Sequence, residues 1–366
     1  MKTALILGGT GAMGKYLTDI LAQSGMWDVY VTSRAKHEEY CDNVHFIQGN
    51  ARDESFITSV LERDYDVIVD FMNYGYQEFL DRHALLLEST PHYVFLSSAR
   101  VYADSDDPIT EEHPRLLDTT EDLELLGTQR YALRKAHQED MLKSSGKNNY
   151  TIVRPYITYS PARLQLGVYE KEQWLYRLLN NKPLVIRREI LQKRTSLTSG
   201  KDVAFGISNI MGKSEAFGET VHIATEETMT WLEILKLYTD VLGKTANIYI
   251  TESFPLVEQC FEGGYNTKYD RLFDRSFNSE KARTLCGITS FTPMREGLKA
   301  ALTDFLNSDR QFLTLQYDYE ALMDRMIKAD CPQTLPESTE IEEYSRFYNS
   351  DEFSEVDAYK YERLVL

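Results

Sequence analysis

Tyr131 and Lys135 are the two residues of this chain whose types and spacing speak most directly of chemistry. They stand four apart within Leu125–Ser145, LLGTQRYALRKAHQEDMLKSS, where apolar residues recur at helical spacing. Residues at i and i+4 share one helix face, so a phenol and an ammonium come side by side. A phenol ordinarily titrates at about pH 10, and a neighbouring cation favours the phenolate, which suits such a tyrosine to general acid or base work near neutrality. Y-x-x-x-K alone is a weak motif, because most tyrosines at helical spacing are half-buried packing residues. Its weight depends on what the preceding chain brings to it.

The elements that must position the pair begin at the third residue. Thr3–Leu7, TALIL, is a continuous apolar run, the pattern of a strand buried on both faces of a parallel sheet. GGTGAMG follows: Gly9, Gly11 and Gly14 satisfy G-x-G-x-x-G, Gly8, Gly11 and Gly14 satisfy G-x-x-G-x-x-G, and an amphipathic helix runs over Lys15–Ser24. Glycines there allow a tight turn and a close approach of backbone to a pyrophosphate at the helix N-terminus, with Thr10, Ala12 and Met13 completing the loop. A plain glycine turn is the bland alternative; strand, turn and helix in sequence favour dinucleotide binding.

A second strand, Val29–Thr32, ends in Ser33-Arg34, where NAD-binding chains commonly place an acid for the ribose 2′-hydroxyl. No acid stands there. Serine followed by arginine, with Lys36 close by, suits a 2′-phosphate, since a guanidinium binds phosphate in a bidentate way. NADP is therefore the expected cofactor, with NAD possible, against a reading of Arg34 as a solvated strand-end charge.

Strands follow at Val44–Gln48, leading to Asn50, at Tyr65–Phe71 with Met72 after it, and at Tyr93–Leu96, leading to Ser97-Ser98-Ala99-Arg100-Val101-Tyr102. A helix is expected at Gln77–Glu88, a loop over the acidic, proline-containing stretch Ala103–Asp122, and a sixth strand at Tyr150–Pro155. Strands alternating with helices describe a doubly wound parallel sheet, and ligands sit beyond its carboxyl strand ends, where Ser98 falls.

Composition bounds the partners. With 366 residues, 42% hydrophobic and 27% charged, the chain has room for two domains. No apolar run reaches the roughly 18–20 residues of a membrane span, and MKTALILGG leads straight into a strand, so a cytoplasmic protein with no membrane partner is expected. Cys41, Cys260, Cys286 and Cys331 are scattered without C-x-x-C spacing, which argues for reduced thiols and no metal. A formal charge of −17 repels nucleic acid, so none is expected as a partner, and local donors must hold any anionic ligand.

The glycine loop, SSARVY, YALRK and Arg154-Pro155 with Tyr159-Ser160-Pro161 resemble the extended short-chain dehydrogenase/reductases, in particular the nucleotide-sugar epimerase/dehydratase group. Asp202-Val203-Ala204, VHIATEETMTWLEIL and the loosely matching stretch from Phe277 to Leu298 extend the resemblance over about residues 1–306. It implies a Rossmann-type doubly wound parallel sheet with a smaller, mixed α/β carboxyl-terminal substrate lobe. The sheet domain would be residues 1–162, resumed by about 196–232; the lobe 163–195 and 233–306; and 307–366 an acidic, tyrosine-rich extension.

The resemblance also implies roles. Tyr131 is the catalytic acid/base, Lys135 lowers its pKa and holds the nicotinamide ribose, and Ser98 bonds the reacting oxygen. Gly8, Thr10, Gly11, Ala12, Met13, Gly14, Ser33, Arg34, Asn50, Phe71, Met72 and Pro155 join Tyr131 and Lys135 around the cofactor. Ser98, Arg100 and Arg194 meet a nucleotide-sugar substrate, and a homodimer is the expected assembly. The chemistry implied is hydride transfer at a sugar carbon, usually C4.

Departures from the family pattern narrow the reaction. Dehydratases carry an acidic pair where this chain has Ala99-Arg100, which counts against dehydration; Phe71-Met72-Asn73-Tyr74 replaces the usual end of strand four. Epimerization is expected from the Ser98-Ala99-x-Val101-Tyr102 spelling, with NADPH-dependent reduction of a 4-keto sugar or other carbonyl as the alternative and a non-catalytic dinucleotide-binding protein as the second. Arg187, Arg188, Lys193 and Arg194 form a cationic cluster, of which Arg194 resembles the family's diphosphate-gripping arginine; Arg271 and Arg275 are lesser candidates. A helix is expected within Phe312–Ile327, and the aromatic residues Tyr344, Phe347, Tyr348, Phe353, Tyr359 and Tyr361 imply that the extension packs on its own body or a second subunit.

Overall fold

The structure, a computed structural model, describes residues 1–253, 264–308, 315–329, 338–351 and 360–366, together with positions 258, 312, 353 and 354. The chain divides into two compact units. The first comprises residues 1–162, 196–228 and 275–297, the second 163–195, 229–274 and 298–366.

In the first unit seven strands form one parallel sheet: β1 Lys2–Leu7, β2 Trp27–Ser33, β3 Val44–Gln48, β4 Val67–Asp70, β5 Tyr93–Leu96, β6 Tyr150–Pro155 and β7 Thr220–Ile223. Their order is β7-β6-β5-β4-β1-β2-β3, and every neighbouring pair is parallel. This is the doubly wound arrangement read from the alternating pattern. Leu5, Ile6, Ile68, Val69, Val94, Phe95, Ile152 and Val153 are all buried, which is why these strands are apolar throughout instead of alternating. Apolar clusters lie on both faces: Leu17, Leu21, Val203 and Ile207 on one, Phe79, Leu86, Leu87 and Leu142 on the other.

The helices that bear on the site are α1 Gly14–Ser24, α2 Glu54–Val60, α3 Tyr76–Glu88, α4 Tyr131–Ser144 and α5 Gly200–Ile210. The helix expected over Leu125–Ser145 is shorter at its start. A separate turn, Leu123–Leu126, ends at Gly127, and Arg130 is extended (φ −64°, ψ 155°), so α4 opens on Tyr131 itself. Thr128 closes the gap, its hydroxyl donating to the Leu125 carbonyl. The loop 103–122 contains one short helix, Leu116–Thr119, and Arg115 ties it to α4 by donating to Asp140 and to the Ala136 carbonyl. Residues 275–297, read from sequence as part of the lobe, group with the sheet unit, where the Arg275 guanidinium donates to the carbonyls of Ala103 and Tyr102.

The second unit has a three-stranded sheet in which Asn247–Thr251 pairs parallel with Leu184–Arg187 and antiparallel with Tyr361–Val365. The acidic extension therefore builds into this unit. Its helix Tyr317–Met326 meets the helix Lys171–Leu179 through a fully buried guanidinium, Arg177, which donates to Glu320 and Asp324 at 2.8 and 2.6 Å. Tyr344 donates to Asp324, and Trp174 stacks on Tyr238 as core. Tyr359, Cys260 and Cys331 lie outside the described residues; Cys41 and Cys286 are free thiols. No described helix is long and apolar enough to cross a membrane.

Candidate active site

A parallel sheet brings the ends of β1, β4, β5 and β6 to one edge, and the site is built there. After β1 the chain turns at Gly8, whose φ of +69° favours glycine, and the Gly8 N–H donates to Thr32 Oγ1 at 3.1 Å. Gly14 lets α1 start against the turn, since a Cβ there would stand 2.6 Å from Gly9. Gly11 differs from both: a Cβ on it would meet nothing nearer than the Gly8 carbonyl oxygen at 4.0 Å. The loop thus leaves a cradle at Gly11 beside the N-terminus of α1, and a dinucleotide pyrophosphate fits that open space at the positive end of the helix. Met13 precedes α1, and Thr10 lines, with Gly9, Lys15 and His37, a hollow of about 260 Å³.

Ser33 ends β2 and Arg34 follows it. Ser33 is buried with its Oγ 3.0 Å from His37 Nε2, and Arg34 is exposed. Asn50 is exposed just after β3. Its side-chain oxygen accepts from the Arg52 N–H at 3.2 Å in the turn leading to α2, so it shapes the loop after β3. Met72 abuts the turn, its sulfur 2.9 Å from where a Gly8 Cβ would stand; Phe71 donates its N–H to Leu7, and Pro155 pairs with Ile223 across β6 and β7.

The end of β5 is laced to α4 residue by residue. Lys135 Nζ donates to the Leu96 carbonyl at 2.7 Å, Ser97 Oγ donates to Glu139 at 2.5 Å, and the Arg100 guanidinium carbon stands 5.0 Å from the centre of the Tyr131 ring. Tyr131, Lys135 and Glu139 recur every four residues, so one helix face makes all three links. Between them Ser98 is buried and caps the turn Ala99–Val101, its Oγ accepting from the Arg100 N–H at 3.2 Å. That leaves its own proton free to donate. Arg134 flanks Tyr131 as well, at 5.7 Å from the ring centre, and donates to Asn73.

Charges below the surface hold this edge. Burial alone would raise the Glu139 carboxyl, but the bonds and charge of Arg154, at 2.8 and 2.5 Å, together with the Ser97 bond, bring it below its usual range. Burial pushes the Lys135 ammonium down to about 8, against the attraction of Asp70 and Glu139. Asp70, the last residue of β4, is fully buried, and burial raises its carboxyl although the Met72 N–H and the Tyr93 hydroxyl donate to it. Thr32, Asp70 and Glu139 were not singled out from sequence; for Glu139 a signal existed, its place four residues beyond Lys135.

The proposed substrate arginines belong to different units. Arg100 faces Tyr131. Arg194 lies in the second unit, exposed, with its N–H donating to Asp274. Of its cationic neighbours, Arg187 pairs with Glu189 and Glu258, Arg188 with Glu252 and Glu362, and Lys193 with Asp274, so acids of the same unit answer most of the cluster. Arg271 and Arg275 are buried and donate to backbone carbonyls, Arg271 to Gly167 and Arg275 to Ala103.

A parallel sheet, a glycine cradle at a helix N-terminus and a serine laced to a Tyr-x-x-x-Lys helix define a dinucleotide-binding protein of the extended short-chain dehydrogenase/reductase type. The chain belongs to the NAD dependent epimerase/dehydratase family, which it matches over residues 4–224. Among curated proteins it is 26% identical over 249 residues to the chloroplast stem-loop binding protein of 41 kDa b of Arabidopsis thaliana, covering 63% of this chain and 60% of that protein's length. Among solved structures it is similar to dTDP-glucose 4,6-dehydratase from Bacillus anthracis in complex with NAD, with a TM-score of 0.66 and 17% identity, covering 84% of this chain and 98% of the other. It is also similar to UDP-glucuronic acid 4-epimerase from Bacillus cereus in complex with UDP-glucuronic acid and NAD, with a TM-score of 0.63 and 18% identity, covering 83% and 98%. At those identities the two structures speak for the fold.

Proposed function

We propose that the protein is an NAD(P)-dependent nucleotide-sugar epimerase with Tyr131 as acid/base, working at a sugar carbon that bears a hydroxyl or ketone, C4 by resemblance. The observation that carries this reading is the lacing of Leu96, Ser97 and Arg100 to Lys135, Glu139 and Tyr131, which encloses Ser98 between them. The bound nicotinamide would supply hydride transfer. The chain's own part is to orient and to move a proton. Tyr131 Oη takes the proton of the substrate hydroxyl or returns it, and Ser98, already accepting from Arg100, donates to the same oxygen. Lys135 holds the nicotinamide ribose, and the Gly11 cradle holds the pyrophosphate. The nucleotide-sugar substrates named for the similar structures support that substrate class. Ala99-Arg100 offers no acid for eliminating water, which sets dehydration aside.

NADP belongs to the same proposal, supported by Ser33-Arg34 and the lack of an acid at the end of β2; so do a homodimer and a cytoplasmic location, which rest on the resemblance and on composition. The β2 end also favours a second reading, an NADPH-dependent ketoreductase. A non-catalytic dinucleotide-binding protein is opposed by the retained Ser98, Tyr131 and Lys135, and a nucleic-acid-binding one, as the name of the stem-loop binding relative would suggest, by the charge of −17. The deciding experiment denatures the purified protein, identifies the released nucleotide and screens UDP-, dTDP-, GDP- and CDP-sugars. Retained cofactor with no net consumption supports the epimerase, stoichiometric NADPH consumption the ketoreductase, and neither cofactor nor turnover refutes both.

A further inference from the structure

We propose that Asp70 is a positioning residue for Lys135: from the end of β4 its carboxylate answers the ammonium across Phe95 and acts on the reaction only through it. The proposal rests on the reading of Lys135 as the residue that holds the nicotinamide ribose. Asp70 is fully buried at the end of an apolar strand, where a carboxylate persists only if hydrogen-bonded and answered by a positive charge. Its hydrogen bonds come from neutral donors, the Tyr93 hydroxyl at 2.8 Å and the Met72 N–H at 2.9 Å. Neither supplies that charge.

Lys135 supplies it. Its Nζ donates to the Leu96 carbonyl and stands 4.6 Å from the centre of the Phe95 ring, and Phe95 is the residue directly across the sheet from Asp70. The ammonium therefore sits over the β5 neighbour of the buried carboxylate. The other groups around it do not compete for this role. Arg134, one residue earlier on α4, repels the ammonium; Glu139, one turn later, is engaged by two of the Arg154 nitrogens and by Ser97. Tyr93 from β5 and Tyr74 from the loop after β4 are phenols that burial and Asp70 itself keep protonated, and Arg82 from α3 lies over the Tyr74 ring at 4.6 Å. Among these groups Asp70 is the carboxylate that acts on Lys135 without a guanidinium already bonded to it.

The sign of the effect follows. With Asp70 ionised, part of the burial penalty on the Lys135 ammonium is offset; without it, burial and Arg134 act together against the charged form. The full-length protein, carbon-13 labelled at lysine Cε and aspartate Cγ, reads this by NMR, with NADPH as the binding probe. The Lys135 carbon is expected to titrate with a midpoint of about 8 in the wild type. In Asp70→Asn the midpoint is expected to fall by about one pH unit or more, which leaves about fivefold less ammonium at the wild-type midpoint. NADPH affinity at that pH should then fall about threefold or more, and its alkaline decline should move to lower pH by the same interval.

An unchanged Lys135 midpoint in the variant overturns the proposal while leaving the proposed function standing. A midpoint that falls with no change in the pH profile of NADPH affinity overturns it from the other side, because Lys135 then does not hold the cofactor and the functional reading fails with it. If Asp70→Asn does not fold, the wild type still decides. Two interacting groups each register the other's titration, so the Asp70 carboxyl carbon must show a step at the Lys135 midpoint, and a carbon silent there overturns the proposal.

Discussion

Replacing two glycines of one loop separates a ligand cradle from a plain turn. At Gly14 a Cβ would stand 2.6 Å from Gly9 Cα and its carbonyl oxygen, roughly 0.8 Å inside ordinary contact, and both obstacles are backbone. Gly14→Ala must therefore push α1 away from the turn, with an expected loss of about 1–3 kcal/mol by overpacking. For a unit of this size that lowers its melting temperature by about 2–4 °C per kcal/mol. At Gly11 the nearest atom is 4.0 Å away and φ is not positive, so Gly11→Ala should leave the ligand-free protein unchanged or stabilise it by about 0.4–1 kcal/mol. Its methyl group enters the space where the pyrophosphate would back onto the loop, and affinity should fall at least about tenfold, or 1.4 kcal/mol. Melting curves without ligand and NADPH and NAD fluorescence titrations measure the two effects separately. Gly11→Ala protein that binds both dinucleotides as the wild type does would refute the cradle, and with it the placement of the cofactor over Ser98 and Tyr131.

Other perturbations test the site from different sides. Tyr131→Phe should keep NADPH affinity within about twofold and cut turnover by about two orders of magnitude or more; a variant that retains turnover on any accepted nucleotide sugar removes the acid/base role. Arg34→Ala should weaken NADP far more than NAD in parallel binding titrations, since only NADP carries the 2′-phosphate, and equal losses would contradict that contact. Glu139→Gln strands the buried Arg154 charge and should lower stability by about 3–5 kcal/mol in urea denaturation. The folded Glu139 carboxyl lies below its ordinary range of about 4.3, so its contribution is present above that pH and is lost as pH falls through the folded value; the variant's stability should accordingly depend less on acid pH, and an identical acid limb would argue against the pair. A structured RNA hairpin should not bind at physiological salt, given the charge of −17; saturable binding in a gel-shift titration would favour the class of the stem-loop binding relative.

The residues legible in the sequence were those whose environment is local. A strand buried on both faces must be apolar at every position, so TALIL and YTIVRP announce their place without any partner being known, and a glycine turn between strand and helix announces its loop. The Tyr131–Lys135 spacing is local in the same sense. The start of α4 was hidden because the apolar residues of Leu125–Ser145 keep helical spacing across Gly127, and only the extended Arg130 shows where the chain restarts. Asp70 in YDVIVDF reads as the polar end of a strand, and nothing within several residues announces that Tyr93 donates to it from the next strand. The acidic extension was legible only in part. Its aromatic residues imply packing on its own body or a second subunit, but nothing local announces that Glu320 and Asp324 meet Arg177 over a separation of more than 140 residues. Ionic partners chosen across such distances leave no periodicity, because each needs only one complementary residue at one point of the finished surface. A buried charge in a doubly wound sheet is thus better sought by asking which polar residue interrupts an apolar strand at its carboxyl end, and that question leads directly to Asp70.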